Sequence, residues 1–335
     1  MGGGNVSEVA LNDTSMRAGE ATSRSAVMKR LRISDTVFRL LTRSAALFVL
    51  AILSGVILSL VIGSMPAMSA FGFSFVTTEV WNPVTEKFGA LAPIYGTLVT
   101  SFIAMAIAVP VGLMIAFFLT ELCPVWLRRP IGIAIELLAG IPSIIYGIWG
   151  LFVFAPFLQQ HVQPFLIAAF GNIPILSSVF EGPPYGIGML TAGLILAIMV
   201  LPFITSISRD VFDAVPPVLK EAAYGVGCTT WEVFKHVILP YTRVGVIGGV
   251  MLGLGRALGE TMAVTFVIGN AHKISASILA PGTTISASIA NEFTEAVGDL
   301  YTSSLILLGL ILFVITFIVL ALARYMLLRL QRRIG

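Results

Sequence analysis

Long apolar segments alternate with shorter polar segments along most of the chain. A membrane-spanning helix needs about 20 mostly apolar residues, and six segments reach that length. Apolar residues occupy all sides of each predicted helix, which is typical of helices that are surrounded by lipid or by other helices. The predicted spans are roughly Ser44–Gly63, Pro93–Thr120, Ile131–Leu158, Gly186–Ser208, Val244–Gly269 and Ser303–Tyr325.

The pattern therefore predicts an all-α integral membrane protein with six transmembrane helices. Residues 1–28 are rich in Ser, Thr, Gly, Ala and Asn, and we expect a disordered tail there. The first span and its following connection occupy 29–92, the other five spans occupy 93–325, and a second tail occupies 326–335. Two short apolar runs, Phe165–Phe170 and Ile173–Phe180, are too short to span and suggest interfacial or re-entrant segments.

Composition excludes several other classes of protein. Hydrophobic residues make up 57% of the chain and charged residues 11%, whereas a soluble domain is about 25% charged. The sequence has no clustered basic face of the kind that would suggest nucleic-acid binding. Two cysteines are too few for a disulfide framework. The three histidines are scattered along the chain and do not predict a metal site: His161, His236 and His272.

The distribution of basic residues predicts the orientation of the chain. Cytoplasmic connections of membrane proteins are enriched in Lys and Arg. One side would carry Lys29, Arg30, Arg32, Arg39, Arg43, Arg128, Arg129, Arg209, Lys220, Lys235, Arg243, Arg324, Arg329, Arg332 and Arg333. The opposite side would carry only Lys87 and Lys273. Both termini, and the connection 209–243, are therefore predicted to be cytoplasmic.

The connection 209–243 contains a spaced motif. Glu221-Ala222-Ala223 is followed after three residues by Gly227, after nine more by Val237, and then by Leu239-Pro240. We expect a short helix at Glu221–Tyr224 and a second helix near Trp231, capped by Thr229 or Thr230. Gly227 would permit the bend between them, and Pro240 would end the second helix.

This motif resembles the E-A-A-x3-G-x9-I-x-L-P loop of binding-protein-dependent ABC importers, with Val237 in place of Ile. The resemblance implies that Glu221, Ala222, Ala223, Gly227, Leu239 and Pro240 dock into a groove on an ATPase subunit. The alternative interpretation is an ordinary amphipathic loop. The chain has no G-x4-G-K-[ST] phosphate loop of its own. Glycines of the fifth span at four-residue spacing favour close helix packing instead.

Three ionisable residues fall within predicted spans: Glu136, Arg256 and Glu260. A charge at the centre of a membrane helix costs about 2.5–3.5 kcal/mol on insertion scales, so such residues need partners or a function. Arg256 and Glu260 are four residues apart and are predicted to share a helix face. A guanidinium group suits an oxyanion. An internal pair of Arg256 with Glu260 or Glu136 that only fixes packing is the alternative.

The segment Gly255-Arg256-Ala257-Leu258-Gly259-Glu260-Thr261-Met262-Ala263-Val264 resembles the fifth span of phosphate permeases. Glu136-Leu137-Leu138-Ala139-Gly140-Ile141-Pro142-Ser143, followed by Tyr146-Gly147, is similar to their third span. Together the two segments favour the C-type subunit of that family. The resemblance covers about residues 90–325. The resemblance implies a substrate path that includes Arg256, Glu260, Glu136, Ser143 and Thr261, with the first span added to a five-helix core.

The resemblance implies a non-catalytic membrane subunit of an ATP-driven phosphate importer in the bacterial inner membrane. Expected partners are a sister A-type permease subunit, two copies of a cytoplasmic ATPase, an external phosphate-binding protein and membrane lipid. ATP and Mg would bind to the ATPase, with no cofactor on this chain. The alternatives are a permease for phosphonate, molybdate or sulfate, an ion-coupled secondary transporter, or a channel.

Overall fold

The computed structural model describes the backbone of residues 6–171, 173–174 and 176–332, and the side chains of 34–171, 173–174, 176–325 and 327–329. The described part is helical, with one isolated β-bridge between Asn82 and Lys87. The helices are α1 (Val6–Phe71), α2 (Ser74–Thr77), α3 (Leu91–Phe117), α4 (Val125–Ala139), α5 (Ser143–Trp149), α6 (Ala155–Phe157), α7 (Gln163–Phe170), α8 (Leu176–Val179), α9 (Met189–Asp213), α10 (Pro217–Gly225), α11 (Thr230–Val233), α12 (Leu239–Gly259), α13 (Met262–Val267), α14 (Ile285–Glu292) and α15 (Asp299–Arg332). Turns of π-helix occupy Phe118–Leu122, Gly150–Phe154, Leu158–Val162 and Phe234–Ile238.

Six helical segments of the described part are long and apolar enough to cross a membrane. They are Ser34–Phe71, Leu91–Leu122, Ser143–Phe170, Met189–Asp213, Thr230–Gly259 and Asp299–Arg329. The predicted all-α fold with six transmembrane helices is confirmed. The bounds of the third and fifth spans differ from the predicted ones, because each corresponding region is divided by a break in the helix.

The third predicted span is interrupted before its middle. Helix α4 ends at Ala139, and α5 begins at Ser143. Pro142 has extended backbone angles, φ −56° and ψ 136°, and it lacks the N–H that a continuous helix would use. The apolar segment then continues as helix to Phe170. The run Phe165–Phe170, predicted to be interfacial or re-entrant, is thus continuous with this helical segment.

The fifth predicted span begins earlier and ends earlier than expected. The helix runs without interruption from Thr230 through the π turn Phe234–Ile238 into α12. The prediction that Pro240 ends the second helix is therefore wrong. A π turn widens the backbone, and here it ends two residues before Pro240 and accommodates the proline within the continuing helix. The helix stops instead at Gly259, before the short α13.

The chain divides into two units, residues 1–59 and 60–335. The first unit contains the N-terminal part of α1, whose described apolar side chains are exposed, as expected for a surface that faces lipid. The backbone of residues 6–28 continues α1, and residues 1–5 lie outside the described residues. The predicted tail 1–28 and the other predicted domain bounds stay a prediction.

Helix α9 is the centre of the second unit. Its residues Ile195, Val200 and Ile204 are completely buried in one apolar cluster with residues of α3, α12 and α13. A second cluster joins the end of α1 with α14 and α15. A third joins the ends of α3 and α9 to α11 and the start of α12.

The predicted small-residue face of the fifth span packs against α9. A Cβ atom added to Gly245 would lie 2.7 Å from Val211, one added to Gly249 would lie 2.9 Å from Ile207, and one added to Gly253 would lie 3.0 Å from Val200. These separations are shorter than van der Waals contact. The four-residue spacing therefore predicted helix packing correctly, and it allows α12 to lie directly against α9.

A polar cluster joins the connection after α1 to the end of α14. His272 stacks on Trp81 with ring centroids 5.3 Å apart, and Tyr301 donates a hydrogen bond of 2.8 Å to Glu292. Burial lowers the pKa of His272 to about 4 and raises the pKa of Glu292. The His272 ring is therefore neutral near pH 7, and its 3.4 Å contact with Glu292 is not an ion pair at that pH.

Helix α3 approaches the segment before α14 very closely at Gly96. A Cβ atom there would lie 1.9 Å from the carbonyl oxygen of Thr283, and the next residue, Thr97, accepts a 3.0 Å hydrogen bond from the N–H of Ile285. Any side chain at position 96 would therefore displace backbone that is held in place by this hydrogen bond.

We predict that Gly96→Ala destabilises the protein by about 1–3 kcal/mol, the usual cost of overpacking a core. Thermal unfolding in detergent measures the effect. Gly55→Ala is the matched control, because a Cβ atom at Gly55 would meet nothing within 4 Å. Equal melting temperatures for the two variants would show that the close approach at Gly96 does not constrain the fold.

Candidate functional site: a bent helical segment and two broken helices

The connection 209–243 forms two helices that meet at a sharp bend. Helix α10 covers Pro217–Gly225, and α11 begins at Thr230. Thr229 caps α11 in a reciprocal capping box with Glu232, which satisfies two backbone N–H groups that lack helical partners. Both predicted helices, and the cap at Thr229, are confirmed.

Gly227 makes the bend possible through its backbone angle. Its φ is +90°, a value that side-chain-bearing residues rarely adopt. A Cβ atom added there would meet nothing within 4 Å, so the requirement for glycine is conformational rather than spatial. The predicted role of Gly227 in the bend is confirmed.

One face of this segment is anchored and the other is exposed. Phe212, Val233 and Phe234 are buried in the cluster at the ends of α3 and α9. Lys220 forms a 2.6 Å ion pair with Glu121, and both side chains are largely buried. This ion pair, which the sequence analysis missed, attaches α10 to the π turn after α3.

The exposed face contains much of the predicted docking motif. Glu221, Ala222 and Gly227 are exposed, whereas Ala223 is half-buried. Val218 and Val226 are 71% and 82% exposed. Of the last two residues of the motif, Leu239 is half-buried and Pro240 is exposed at the start of α12. An apolar and acidic surface is thus presented on a rigidly anchored support.

The second part of the site lies where two helices are broken. The break between α4 and α5 places Ser143 at the start of α5. The break between α12 and α13 contains Glu260 and Thr261. Helix α5 packs directly on α13, because a Cβ atom on Gly147 would lie 3.1 Å from the Cα of Ala263. The structure therefore brings the two broken segments together.

Tertiary hydrogen bonds stabilise both breaks. Tyr146 donates a 2.9 Å hydrogen bond to the carbonyl oxygen of Leu138, across the first break. Ser286 donates a 2.7 Å hydrogen bond to the carbonyl oxygen of Glu260, at the second break. Broken helices within a membrane protein are tolerated only where such partners satisfy the freed backbone groups.

Arg256 lies in the last turn of α12, within the fifth span. Its guanidinium carbon lies 4.3 Å from the centre of the Phe203 ring, and its Nε is buried without a hydrogen-bond partner among the described residues. It lines a groove of about 480 Å³. The other lining residues are Phe203, Gly248, Met251, Leu252, Gly255 and Leu320.

The alternative interpretation, an internal ion pair of Arg256 with Glu260 or Glu136, is not supported by the contacts of the described residues. Glu260 is the C-cap residue of α12, with φ −70° and ψ 131°, so the helix does not continue beyond it. Within the described part of the chain, neither Glu260 nor Glu136 lies within ion-pair distance of Arg256. A stabilising cation–π contact with Phe203 takes the place of an ion pair.

Glu136 lies outside the segment Ser143–Phe170, which is the part of the third predicted span that is long and apolar enough to cross a membrane; its position within the membrane stays a prediction. It lies in α4, before the break, and its side chain is half-exposed. Its carboxylate accepts a 2.7 Å hydrogen bond from Arg209, which also contacts Asp210 at 3.1 Å. Arg209 is a partner that the sequence analysis missed, because 73 residues separate it from Glu136.

The chain was compared with known proteins. The family described as "Binding-protein-dependent transport system inner membrane component" matches residues 108–332. A protein of Mesorhizobium japonicum named "Phosphate transport system permease protein PstC" is 70% identical, over 94% of this chain and 96% of the relative. A protein of the same name from Pasteurella multocida is 58% identical, over 90% of this chain and 94% of the relative.

A solved structure supports the fold. The crystal structure of a bacterial ABC transporter involved in the import of the acidic polysaccharide alginate matches with a TM-score of 0.50 and 18% identity. The match covers 89% of this chain and 99% of that chain. From these matches, the chain belongs to the family of binding-protein-dependent transport system inner membrane components, and within it to the group of the phosphate transport system permeases.

Proposed function

We propose that this chain is the permease subunit of an ATP-driven importer and forms part of the translocation path for inorganic phosphate. The observation that carries the proposal is Arg256, a permanently charged side chain within a span, next to a groove and without a carboxylate partner among the described residues. Relatives at 70% and 58% identity are named phosphate transport permeases.

The physical argument concerns the cost of moving an anion through an apolar region. Transfer of a single charge into a dry interior costs on the order of 20 kcal/mol. A cation beside a hydrated path lowers this barrier, and a guanidinium group can bind two phosphate oxygens at once. Phe203 holds Arg256 in place by a contact that an arriving phosphate can supplement without first breaking an ion pair.

The other predicted path residues have supporting positions in this proposal. Glu260, Ser143 and Thr261 lie at the two breaks, where backbone groups are not committed to regular helix. Glu136 does not contact Arg256. Its role in the path is indirect, through its ion pair with Arg209 at the end of α9.

The importer that we propose has several further subunits. A second permease subunit completes the path, two ATPase subunits bind ATP and Mg²⁺, and an external protein delivers phosphate. The exposed motif face of α10 and the bend at Gly227 dock into the ATPase. Both termini lie in the cytoplasm, on the same side as this motif. The membrane is the bacterial inner membrane, in keeping with the family description.

We predict that Arg256→Gln lowers phosphate uptake at least about tenfold while the complex still assembles, since hydrogen bonds to charged groups contribute about 1.5–3 kcal/mol. Uptake into proteoliposomes and the yield of purified complex are measured together. Arg329→Gln is the matched control, because Arg329 also lies over an aromatic ring, Tyr325, at 4.8 Å. Normal uptake by Arg256→Gln, or uptake restored by the double change Arg256→Gln with Glu260→Gln, would exclude the proposed role.

We predict that Gly227→Ala weakens the coupling of ATP hydrolysis to uptake. A side chain at φ +90° is strained by roughly 1 kcal/mol or more, so the bend should relax and the exposed face should shift. Gly225→Ala is the control: its added Cβ atom also meets nothing within 4 Å, and its φ is not positive. The ratio of phosphate transported to ATP hydrolysed is measured; equal ratios for the two variants would contradict the proposed coupling.

We predict that a membrane-impermeant maleimide labels Val84→Cys but not Val226→Cys in intact cells. Val84 follows the first span and is 92% exposed, whereas Val226 adjoins the bend and is 82% exposed. Cys123 and Cys228 are replaced by alanine in both variants. Labelling of Val226→Cys in intact cells would reverse the proposed orientation and remove the basis for ATPase docking.

A further inference from the structure

A polar cavity that Arg256 does not line is formed by the segment before α9 and the segment after α13. Its volume is about 320 Å³, and a water molecule needs only about 10–15 Å³ by a comparable measure. Backbone hydrogen bonds fix its walls: the N–H of Leu190 donates to Ile278 at 2.8 Å, and the N–H of Ile278 donates to Val179 at 3.0 Å. The cavity is therefore a defined feature of the fold.

One part of the cavity lining donates hydrogen bonds. Lys273 is exposed, and no carboxylate lies within ion-pair distance of it in the part of the chain that the structure describes. The hydroxyl oxygen of Ser275 accepts from the N–H of Ser277 at 3.1 Å, and that of Ser277 accepts from the N–H of Leu279 at 3.2 Å. The two hydroxyl hydrogens have no acceptor among the described residues, so they remain available to an anion.

Another part of the lining can only accept when it is ionised. Glu181 lines the same cavity, and none of the described cations lies within ion-pair distance of its carboxylate. The cavity therefore presents a cation and two hydroxyl donors together with a carboxylate acceptor, and these groups do not satisfy one another. A ligand that complements them must combine negatively charged oxygens with at least one O–H group.

Inorganic phosphate has this combination at neutral pH, because it keeps at least one hydrogen. Its unprotonated oxygens would accept hydrogen bonds from Lys273, Ser275 and Ser277, and its O–H would donate to Glu181. Sulfate and the phosphodiester of a lipid headgroup have no hydrogen to donate, and Glu181 would repel them. Rejection of an analogue that lacks a required hydrogen-bonding group is a strong form of selectivity.

We propose that this cavity is an acceptor site for protonated phosphate, which binds there before it reaches Arg256. The proposal rests on the proposed function and adds a second binding step with its own selectivity. Lys273 and Lys87 are the two cations predicted on the external side, and Lys273 is the one that lines this cavity. The site thus places a cation on the side from which phosphate arrives.

The test uses the purified complex with its partner subunits, in detergent and without the external binding protein. Binding of radiolabelled inorganic phosphate is measured in the Arg256→Gln background, so that binding at Arg256 does not contribute to the signal. We expect that this complex binds phosphate and that Lys273→Gln weakens binding about tenfold or more, as the loss of a charged hydrogen bond predicts. Lys273→Arg should retain most of the affinity. Lys87→Gln, a change to an exposed lysine outside the cavity, should have no effect.

Selectivity provides a second readout. In the same background, an excess of sulfate should displace little phosphate. Glu181→Gln supplies an amide donor in place of the carboxylate, so sulfate should then compete about tenfold better. Equal phosphate affinities for Lys273→Gln and Lys87→Gln would overturn the proposal, as would equal competition by sulfate with and without Glu181→Gln. Absence of phosphate binding in the Arg256→Gln complex would do the same.

The proposed function is tested separately with the wild-type complex in proteoliposomes supplied with phosphate-loaded binding protein. No uptake there would refute the proposed function, whatever the binding measurements in detergent give. Normal uptake combined with no effect of Lys273→Gln on binding would refute the acceptor site alone.

Discussion

Burial of charged and hydrogen-bonding groups in apolar surroundings is the constraint on which the rest of this structure depends. Every backbone N–H and C=O group within a membrane needs a partner inside the protein, so regular helix dominates the chain. The breaks between α4 and α5 and between α12 and α13 lie next to each other, since α5 packs on α13, and each break has tertiary partners. Tyr146 and Ser286 supply such partners through hydrogen bonds to the carbonyl oxygens of Leu138 and Glu260.

The same constraint explains the arrangement of charged side chains. Lys220 and Glu121 neutralise each other where α10 meets the end of α3, and Arg209 and Glu136 do so where α4 meets α9. The pair of Lys220 and Glu121 is largely buried, so removal of one member would leave an uncompensated charge, which is strongly destabilising. Arg256 differs from these residues, because an aromatic ring rather than a carboxylate accompanies it. In the proposed function its charge is available to a transported anion, and this difference distinguishes it from the paired charges.

Helix α9 connects the two parts of the candidate site. Its middle packs against α12 close to the groove at Arg256, through Val200 and Ile204 against Gly253. Its end lies in the cluster that anchors α11. The chain from Thr230 to Gly259 is one continuous helix, so a displacement of the exposed motif would be transmitted along this helix toward Arg256. Close packing leaves little freedom for the two helices to move independently.

The sequence by itself determined the class of fold, the number of spans and the helices around Gly227, since these depend on local hydrophobicity, capping and backbone freedom. The spacing of Gly245, Gly249 and Gly253 likewise predicted a packing face, because residues four apart lie on one side of a helix. Only the tertiary structure decided the partners of the charged residues. Glu136 pairs with Arg209 across 73 residues, and Ser286 binds the carbonyl oxygen of Glu260 at the end of α12. Periodicity along one segment contains no information about which distant segment will satisfy a charge or a broken helix.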